Sequence, residues 1–545
     1  MKSWKKKGVM TVLSVSMLGS LTVACSSTDN SSVNETSPAK ESAIPSATEP
    51  SAGAKYPASL TYWVAMNTDA AVTIKSYSEM GLYKQLEKVT GTKVEFQHPP
   101  AGEAQTKDQF NLMMATGKLP DVIYNQWSVN FPDKAIKDGR ILRLNEIIEK
   151  NAPNLSKLLK EKPNIRKAIT SDDGNIYAFP SILSDPQVFV YHGLMIRKDW
   201  LDKLNLQTPK TIDDWEKVLT AFRDGDPNGN GKKDEIPFFY RQTDQESSFA
   251  FIGAYGITTG FYQDGGVVKY GPAQPKYKDF LTLMNKWYKA GLIDKDYLTS
   301  DPKIRDGKML DNQLGSMAGW VGSSLGAFMQ LKRDKEPNFK LIGVPFPSLP
   351  GGSKPLSTVG SSIDGRGAAI SASAKNPEQI AAWLDFGYSK EGALMYNFGV
   401  EGESYTMVNG KPQYTDLILK NPNKLSVSQA LSIYSLETSG GPFIIDADAD
   451  KQWHNDKEQA DAMATWIDAD HSKMLPNSLL NADEQAKFAT IMTDLNTYKN
   501  EMTNKFIMGT EPLTKFDEYI QTLNKLKIEE AVKLNQTAYE RFLKK

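Results

Sequence analysis

The sequence predicts an α/β protein of two lobes. Three observations carry that prediction: short apolar strands alternate with amphipathic helices in two separate stretches, 545 residues are more than one core uses, and no internal repeat is visible. Residues 60–65 (Leu-Thr-Tyr-Trp-Val-Ala) read as a strand. Leu82, Leu86 and Val89 recur at i, i+4 and i+7, which predicts a helix over 82–89 that Gly91 ends. Residues 92–97 alternate as a half-buried strand, 109–115 read as a helix and 121–124 as the next strand, so the start of the body is a βαβ sheet. The alternation returns with strands over 339–344 and 367–370 and a helix over 377–388. Residues 485–545 are helical in pattern apart from Gly509 and Pro512.

Composition removes several functions. Against 64 Lys and Arg stand 65 Asp and Glu, a formal net charge of −1, so the chain lacks the basic footprint of a nucleic-acid binder. The single cysteine, Cys25, precludes an internal disulfide and a cysteine metal cluster. The four histidines (His98, His192, His454 and His471) are scattered without zinc-ligand spacing.

The first 55 residues read as an address and a tether. Lys2 and Lys5, Lys6 and Lys7 precede an apolar run over 9–21, the pattern of a secretory signal over 1–24. That run falls short of the ~20 residues that span a bilayer. Leu21-Thr22-Val23-Ala24-Cys25 resembles a bacterial lipobox, with Thr22 where the lipobox prefers Leu. The resemblance implies a diacylated Cys25 holding the chain to the outer face of the cell membrane; the plainer alternative is a secretion signal with a stray cysteine. Residues 26–55 contain no aromatic residue and predict a flexible tether, so that 25–55 links the lipid to the fold. The expected location is extracytoplasmic.

Four motifs occur in order along the body: Gly-Lys-Leu-Pro-Asp-Val at 117–122, Asp-Gly-Asn-Ile-Tyr-Ala-Phe-Pro at 173–180, Arg-Lys-Asp-Trp-Leu at 197–201 with Pro-Lys-Thr-Ile-Asp-Asp-Trp at 209–215, and Ser-Met-Ala-Gly-Trp at 316–320. Together they resemble the bacterial extracellular solute-binding proteins of family 1, in the oligosaccharide-binding branch that serves ABC importers. Within that branch the chain is similar to the LplA/LipO-like lipoproteins and the alginate-oligosaccharide-binding proteins. The resemblance implies a periplasmic-binding-protein-like clamp of type II, with a hinge crossed near 192–196, near 363–367 and after Tyr414. The lobes would then be discontinuous, 56–192 plus 366–415 forming the N-terminal lobe and 193–365 plus 416–545 the C-terminal lobe. It also implies a binding protein, not an enzyme, that delivers an oligosaccharide to ABC permease subunits; a monomer is the default expectation. The chain itself has no Gly-x-x-x-x-Gly-Lys-Ser/Thr loop for nucleotide.

The most specific local motif is a metal loop. In Asp-Pro-Asn-Gly-Asn-Gly-Lys-Lys-Asp-Glu, residues 226–235, Asp226, Asn228, Asn230 and Asp234 occupy positions 1, 3, 5 and 9 of an EF-hand-like loop, with Gly231 at the sharp turn. These are calcium ligands by type and spacing. Pro237 stands where an EF-hand carries its bidentate Glu. The resemblance to the alginate binders implies that Glu235 supplies that group instead, with the Lys232 carbonyl as a further ligand. A polar Asn/Gly turn without metal is the alternative.

A sugar cleft combines aromatic faces with amide and carboxylate side chains. Ligands of open α/β sheets gather at the carboxyl ends of strands, which selects Trp63 and Asn67 after the first strand and Asn125, Gln126 and Trp127 after the third. Family resemblance adds Trp320 as a stacking aromatic, and Glu403 and Tyr405 in Gly-Val-Glu-Gly-Glu-Ser-Tyr at 399–405. Arg366, near a crossing, could meet an acidic sugar or pair within the hinge. A secreted carbohydrate-active hydrolase is the rival reading, but Asp/Glu pairs are so common among 65 acids that their presence does not argue for it.

Overall fold

Nine strands build the two main sheets among the described residues: β1 (Ser59–Trp63), β2 (Lys93–Gln97), β3 (Val122–Gln126), β4 (Phe179–Leu183), β5 (His192–Arg197), β6 (Ser316–Trp320), β7 (Leu341–Gly343), β8 (Ile363–Ile370) and β9 (Ile444–Ile445). The computed structural model describes residues 55–545 except 130, 186–189, 333–334, 455 and 477–479. The signal over 1–24, Cys25 and the tether up to residue 54 lie outside the described residues.

The first sheet has the order β9-β4-β8-β3-β1-β2. β1 pairs parallel with β2 and β3, joined through α1 (Thr68–Thr73), α2 (Gly81–Thr90) and α3 (Glu103–Thr116), as the βαβ pattern predicts. β8 runs antiparallel between β3 and β4, which sets Arg366 opposite Gln126. Its register shifts between Ile363 and Gly367. Gly365 lies in that bulge at φ +85°, where a Cβ would stand 2.0 Å from Ser128 Oγ, so the bend admits only glycine. Alternate residues cover both faces. Leu60, Tyr62, Val122, Tyr124 and Ala368 enter one core, while Trp63, Ile123 and Ala369 pack with Phe110 and Trp127 on the other side.

The second sheet, β6-β5-β7, is antiparallel and has its own core. Helix α4 (Ile212–Asp224) starts from a capping box of Thr211 and Asp214 and buries Trp215. The Phe251 ring meets Trp215, Phe238 and Trp287 at 5.1 Å, each near-perpendicular, in edge-to-face packing. Helices α5 (Gln242–Ser248), α6 (Ala447–Trp453), α7 (Lys457–Trp466), α8 (Ala482–Met508), α9 (Phe516–Lys525) and α10 (Ile528–Lys544) complete the set that concerns function. α8 ends at Gly509 in the left-handed region, where the sequence reading placed a break. Leu495, Phe506, Tyr519, Leu523 and Ala531 fasten α8, α9 and α10 to the second core.

The chain passes between the two cores more than once. Ile182 belongs to the first core and Val190 to the second, with Tyr191 packed against both, so β5 lies wholly within the second lobe. Gly193 makes this passage tight: a Cβ there would lie 2.4 Å from the Trp466 ring. The last passage into the second core lies between Ala449 and Ala462. Ile418, Ala430, Leu431 and Ala449 pack with Phe398, Tyr405 and Tyr414, and β9 pairs with β4, whereas Ala462 and Trp466 belong to the second core. β9 therefore completes the edge of the first sheet.

Candidate functional site

The carboxyl ends of β1 and β3 and the amino end of β8 lie along one edge of the first sheet. There Asn67 caps α1, its Oδ1 accepting from the Asp69 N–H at 2.8 Å, while its Nδ2 donates to the Thr438 carbonyl at 3.3 Å. The Asn67 N–H itself donates to the Tyr77 hydroxyl. Asn125 Oδ1 accepts from the Gln126 N–H, and exposed Gln126 reaches the Asp364 carbonyl with Nε2. Arg366 donates from Nε to Asp364 Oδ2 at 2.5 Å and from Nη1 to the Ser439 carbonyl at 3.1 Å. Asn67 and Arg366, distant in sequence, thus converge on residues 438–440.

The facing wall comes from the second lobe. Trp320, the last residue of β6, is 46% exposed and stands edge-on to His192 at 4.9 Å. An exposed indole on a fully packed strand needs a reason, and an apolar platform beside polar groups supplies one. Beneath it His192 Nε2 lies 3.6 Å from Asp244 of α5, and Arg241 pairs with the same carboxylate at 2.5 Å. Burial alone would raise the Asp244 carboxyl, but the adjacent His192 ring and the Arg241 guanidinium hold it below its ordinary value.

The two walls meet at the hinge. The Tyr191 carbonyl accepts from the Val321 N–H at 2.7 Å, next to Trp320, and the Tyr191 hydroxyl donates to Asp450 on α6 at 3.0 Å. Glu437 is buried near Asp450, and burial first, then the Asp450 charge, push its carboxyl well above the ordinary range. A polar band therefore runs from Asn67 and Arg366 through residues 437–440, Asp450 and Tyr191 to His192 and Trp320. A polyhydroxylated ligand finds donors, acceptors and one ring face along it.

Several expected contacts are elsewhere. Trp63 and Trp127 are core residues, 4% and 0% exposed, each packed on Phe110, and the Trp127 indole donates to the Ile123 carbonyl. The strand-end rule selected them, but the first sheet is covered on both faces and their side chains point into the α3 layer. Tyr405, 5% exposed, packs on Phe398 in the satellite cluster. Glu403 is exposed, and its carbonyl accepts from Thr415 Oγ1. Sequence reasoning missed Tyr191, Asp244, Thr438, Ser439 and Asp450. Only the Ser-Gly-Gly turn at 439–441 offered a signal, as a loop.

The 226–235 loop folds inward on its oxygens. Asp226, at φ +45°, accepts from the N–H groups of Gly229, Asn230 and Gly231 at 3.0–3.1 Å. Asn228 Oδ1 accepts from the Asn230 N–H, and Asn230 Oδ1 from the Lys232 N–H. Asn228 and Asn230 both donate to Asp234, which Gln313 also reaches. Both Glu235 carboxylate oxygens are buried without a hydrogen-bond donor in good geometry, and burial, then Asp226 and Asp234, raise its carboxyl above the ordinary value. Three carboxylates beside two side-chain amides, one with orphaned buried oxygens, suit a hard cation with oxygen preference. Among the described residues, no group of three or more His, Cys, Asp or Glu is arranged as a metal cluster, so such a cation would depend on the amide oxygens as well.

Residues 70–394 match the profile of the bacterial extracellular solute-binding protein family. The fructooligosaccharide ABC transporter substrate-binding protein FusA of Streptococcus pneumoniae serotype 4 is 27% identical over 498 residues, covering 88% of this chain and 90% of FusA. The crystal structure of alginate-binding protein AlgQ2 without calcium ion superposes at TM-score 0.69 with 28% identity, over 88% of this chain and 98% of that one. S. pneumoniae FusA in complex with kestose gives 0.71 and 26%, over 89% and 99%. The type II clamp is the shared architecture, and no helix among the described residues is long and apolar enough to cross a membrane. With the profile spanning more than half of its length and two lobes joined at a polar hinge, the chain belongs to the bacterial extracellular solute-binding protein family.

Proposed function

We propose that the protein is the capture subunit of a carbohydrate importer: it closes on an oligosaccharide between its lobes and presents the closed form to ABC permease subunits. The observation that carries this reading is the exposed Trp320 at the end of a polar band shared by both lobes. A ligand touching Trp320 on one side and the Asn67–Arg366 edge on the other stabilises the closed form by its differential contacts. The similarity to FusA and AlgQ2 supports a sugar as that ligand. Capture without turnover follows from the same reading, as does action as a monomer.

The 226–235 loop holds calcium in this proposal. Asp226, Asn228, Asn230, Asp234, Glu235 and the Lys232 carbonyl are its ligands, and the role is structural, fixing the segment between α4 and the Phe238–Phe239 core. Cys25 carries the lipid that keeps the protein at the outer face of the membrane.

Isothermal titration with neutral and acidic oligosaccharides, followed by mass analysis of the recovered sugar, tests the reading. Stoichiometric binding with intact sugar supports it; conversion of the sugar, or silence across the panel, overturns it.

A further inference from the structure

The charge pattern of the hinge-side band bears on which sugar it takes. Two guanidiniums lie in that band among the described residues, and each is ion-paired with a carboxylate. Arg366 is held by Asp364 at 2.5 Å and by the Ser439 carbonyl; Arg241 is held by Asp244 at 2.5 Å. Asp450, buried beside Tyr191, accepts from the Tyr191 hydroxyl and lies against His454, and Asp69 follows Asn67 at the sheet edge. At the accessible edge of the band the carboxylates of Asp69 and Asp364 stand against the single guanidinium of Arg366.

A uronic-acid residue brought against this surface would place its carboxylate beside Asp364, with no guanidinium of the band free of a carboxylate partner to receive it. Sugar hydroxyls suit the same surface: a carboxylate accepts from two neighbouring hydroxyls, and the side-chain amide of Gln126 serves as donor or acceptor. Gln126, Asp364 and Arg366 already form one connected edge, with Asp364 35% and Arg366 41% exposed at their side chains, so a ligand meets the pair and not a bare cation.

We infer that the cleft selects neutral oligosaccharides and rejects uronic-acid ones, with Asp364 acting as the specificity residue by occupying Arg366. This rests on the proposal that the cleft binds a sugar.

The test uses matched pairs of equal length and linkage: β-1,4-mannotriose against β-1,4-mannuronate trimer, and methyl-esterified against free α-1,4-galacturonate trimer, with kestose as a further neutral probe. Titration of the protein is expected to give binding by a neutral member at least about tenfold tighter than its acidic partner, a preference that shrinks at high salt. In Asp364→Asn the acid-to-neutral ratio should move about tenfold toward the acid, because Arg366 is released. Should that variant misfold, the unmodified protein still decides the question. Tighter binding of any acidic member than of its neutral partner overturns this inference and leaves sugar capture standing. Silence toward all five probes counts against sugar capture and removes the inference with it.

Discussion

The Tyr191 hydroxyl donates to the Asp450 carboxylate at 3.0 Å, across 259 residues of sequence and from one lobe to the other. Tyr191 packs on both cores and accepts the Val321 N–H on its carbonyl, so a single residue fixes the hinge to the Trp320 wall and to α6. Burial first, and the Asp450 charge second, push the Tyr191 hydroxyl far above its ordinary range, which keeps it a donor at every working pH.

Removing that hydroxyl tests its contribution. Tyr191→Phe keeps the ring and leaves Asp450 short of a donor, so stability should fall by about 1–3 kcal/mol, the usual range for losing a partner of a charged group. Denaturant unfolding reads the change directly. An unaltered midpoint would mean that solvent replaces the phenol and that the hinge does not depend on it.

Calcium at the 226–235 loop predicts a melting curve that responds to chelator. At about 100 times its dissociation constant the ion adds about 2.7 kcal/mol to the folded state. Chelation should lower the melting temperature of the unmodified protein, whereas Asp226→Ala with Glu235→Ala should melt low with or without calcium. A curve indifferent to chelator in the unmodified protein would leave the loop as a hydrogen-bonded turn.

The parts legible in the sequence are those with a period. β1, β2 and β3 and the helices between them carry strict alternation or helical spacing, and the loop at 226–235 carries fixed ligand positions, so both can be read locally. Trp63 and Trp127 could not be told from Trp320, because a tryptophan at a strand end points to whichever face the pleat dictates, and only the register shows that both faces of the first sheet are covered. β9 is two residues long and has no period, which is why nothing local in the sequence ties it to the first sheet. The pairing of Asp450 with Tyr191, and the approach of Ser439 to Arg366, arise from chain segments brought together only by the third crossing.

Glu437 makes stability depend on pH in a defined direction. Burial, and then Asp450, raise its folded carboxyl well above the ordinary 4.5, with Asp446 adding to the effect and the Trp453 indole opposing it. Between the unfolded value and the raised folded one, the folded state binds more protons, so this group's contribution is full below about pH 4.5 and declines as pH rises through the folded value. Glu437→Gln should remove that decline, raising stability at pH 8 relative to the unmodified protein and making little difference near pH 4.5. Parallel unfolding curves for the two proteins at both pH values would show that Glu437 is not held protonated.

Trp320 separates binding from folding. Because 46% of the residue is exposed and its ring touches His192 only edge-on, truncation removes little packing, so Trp320→Ala should melt within a few degrees of the unmodified protein. The same change deletes the ring face offered to a sugar and should weaken binding by about 1–3 kcal/mol. Trp63→Ala provides the contrast: at 4% exposure and against Phe110, its loss opens a cavity expected to cost about 3–5 kcal/mol of stability. Titration and unfolding of both variants therefore assign each tryptophan its role. Equal affinity in Trp320→Ala would move the platform to another residue of the cleft, and a large drop in its melting temperature would place the indole among the packing residues despite its exposure.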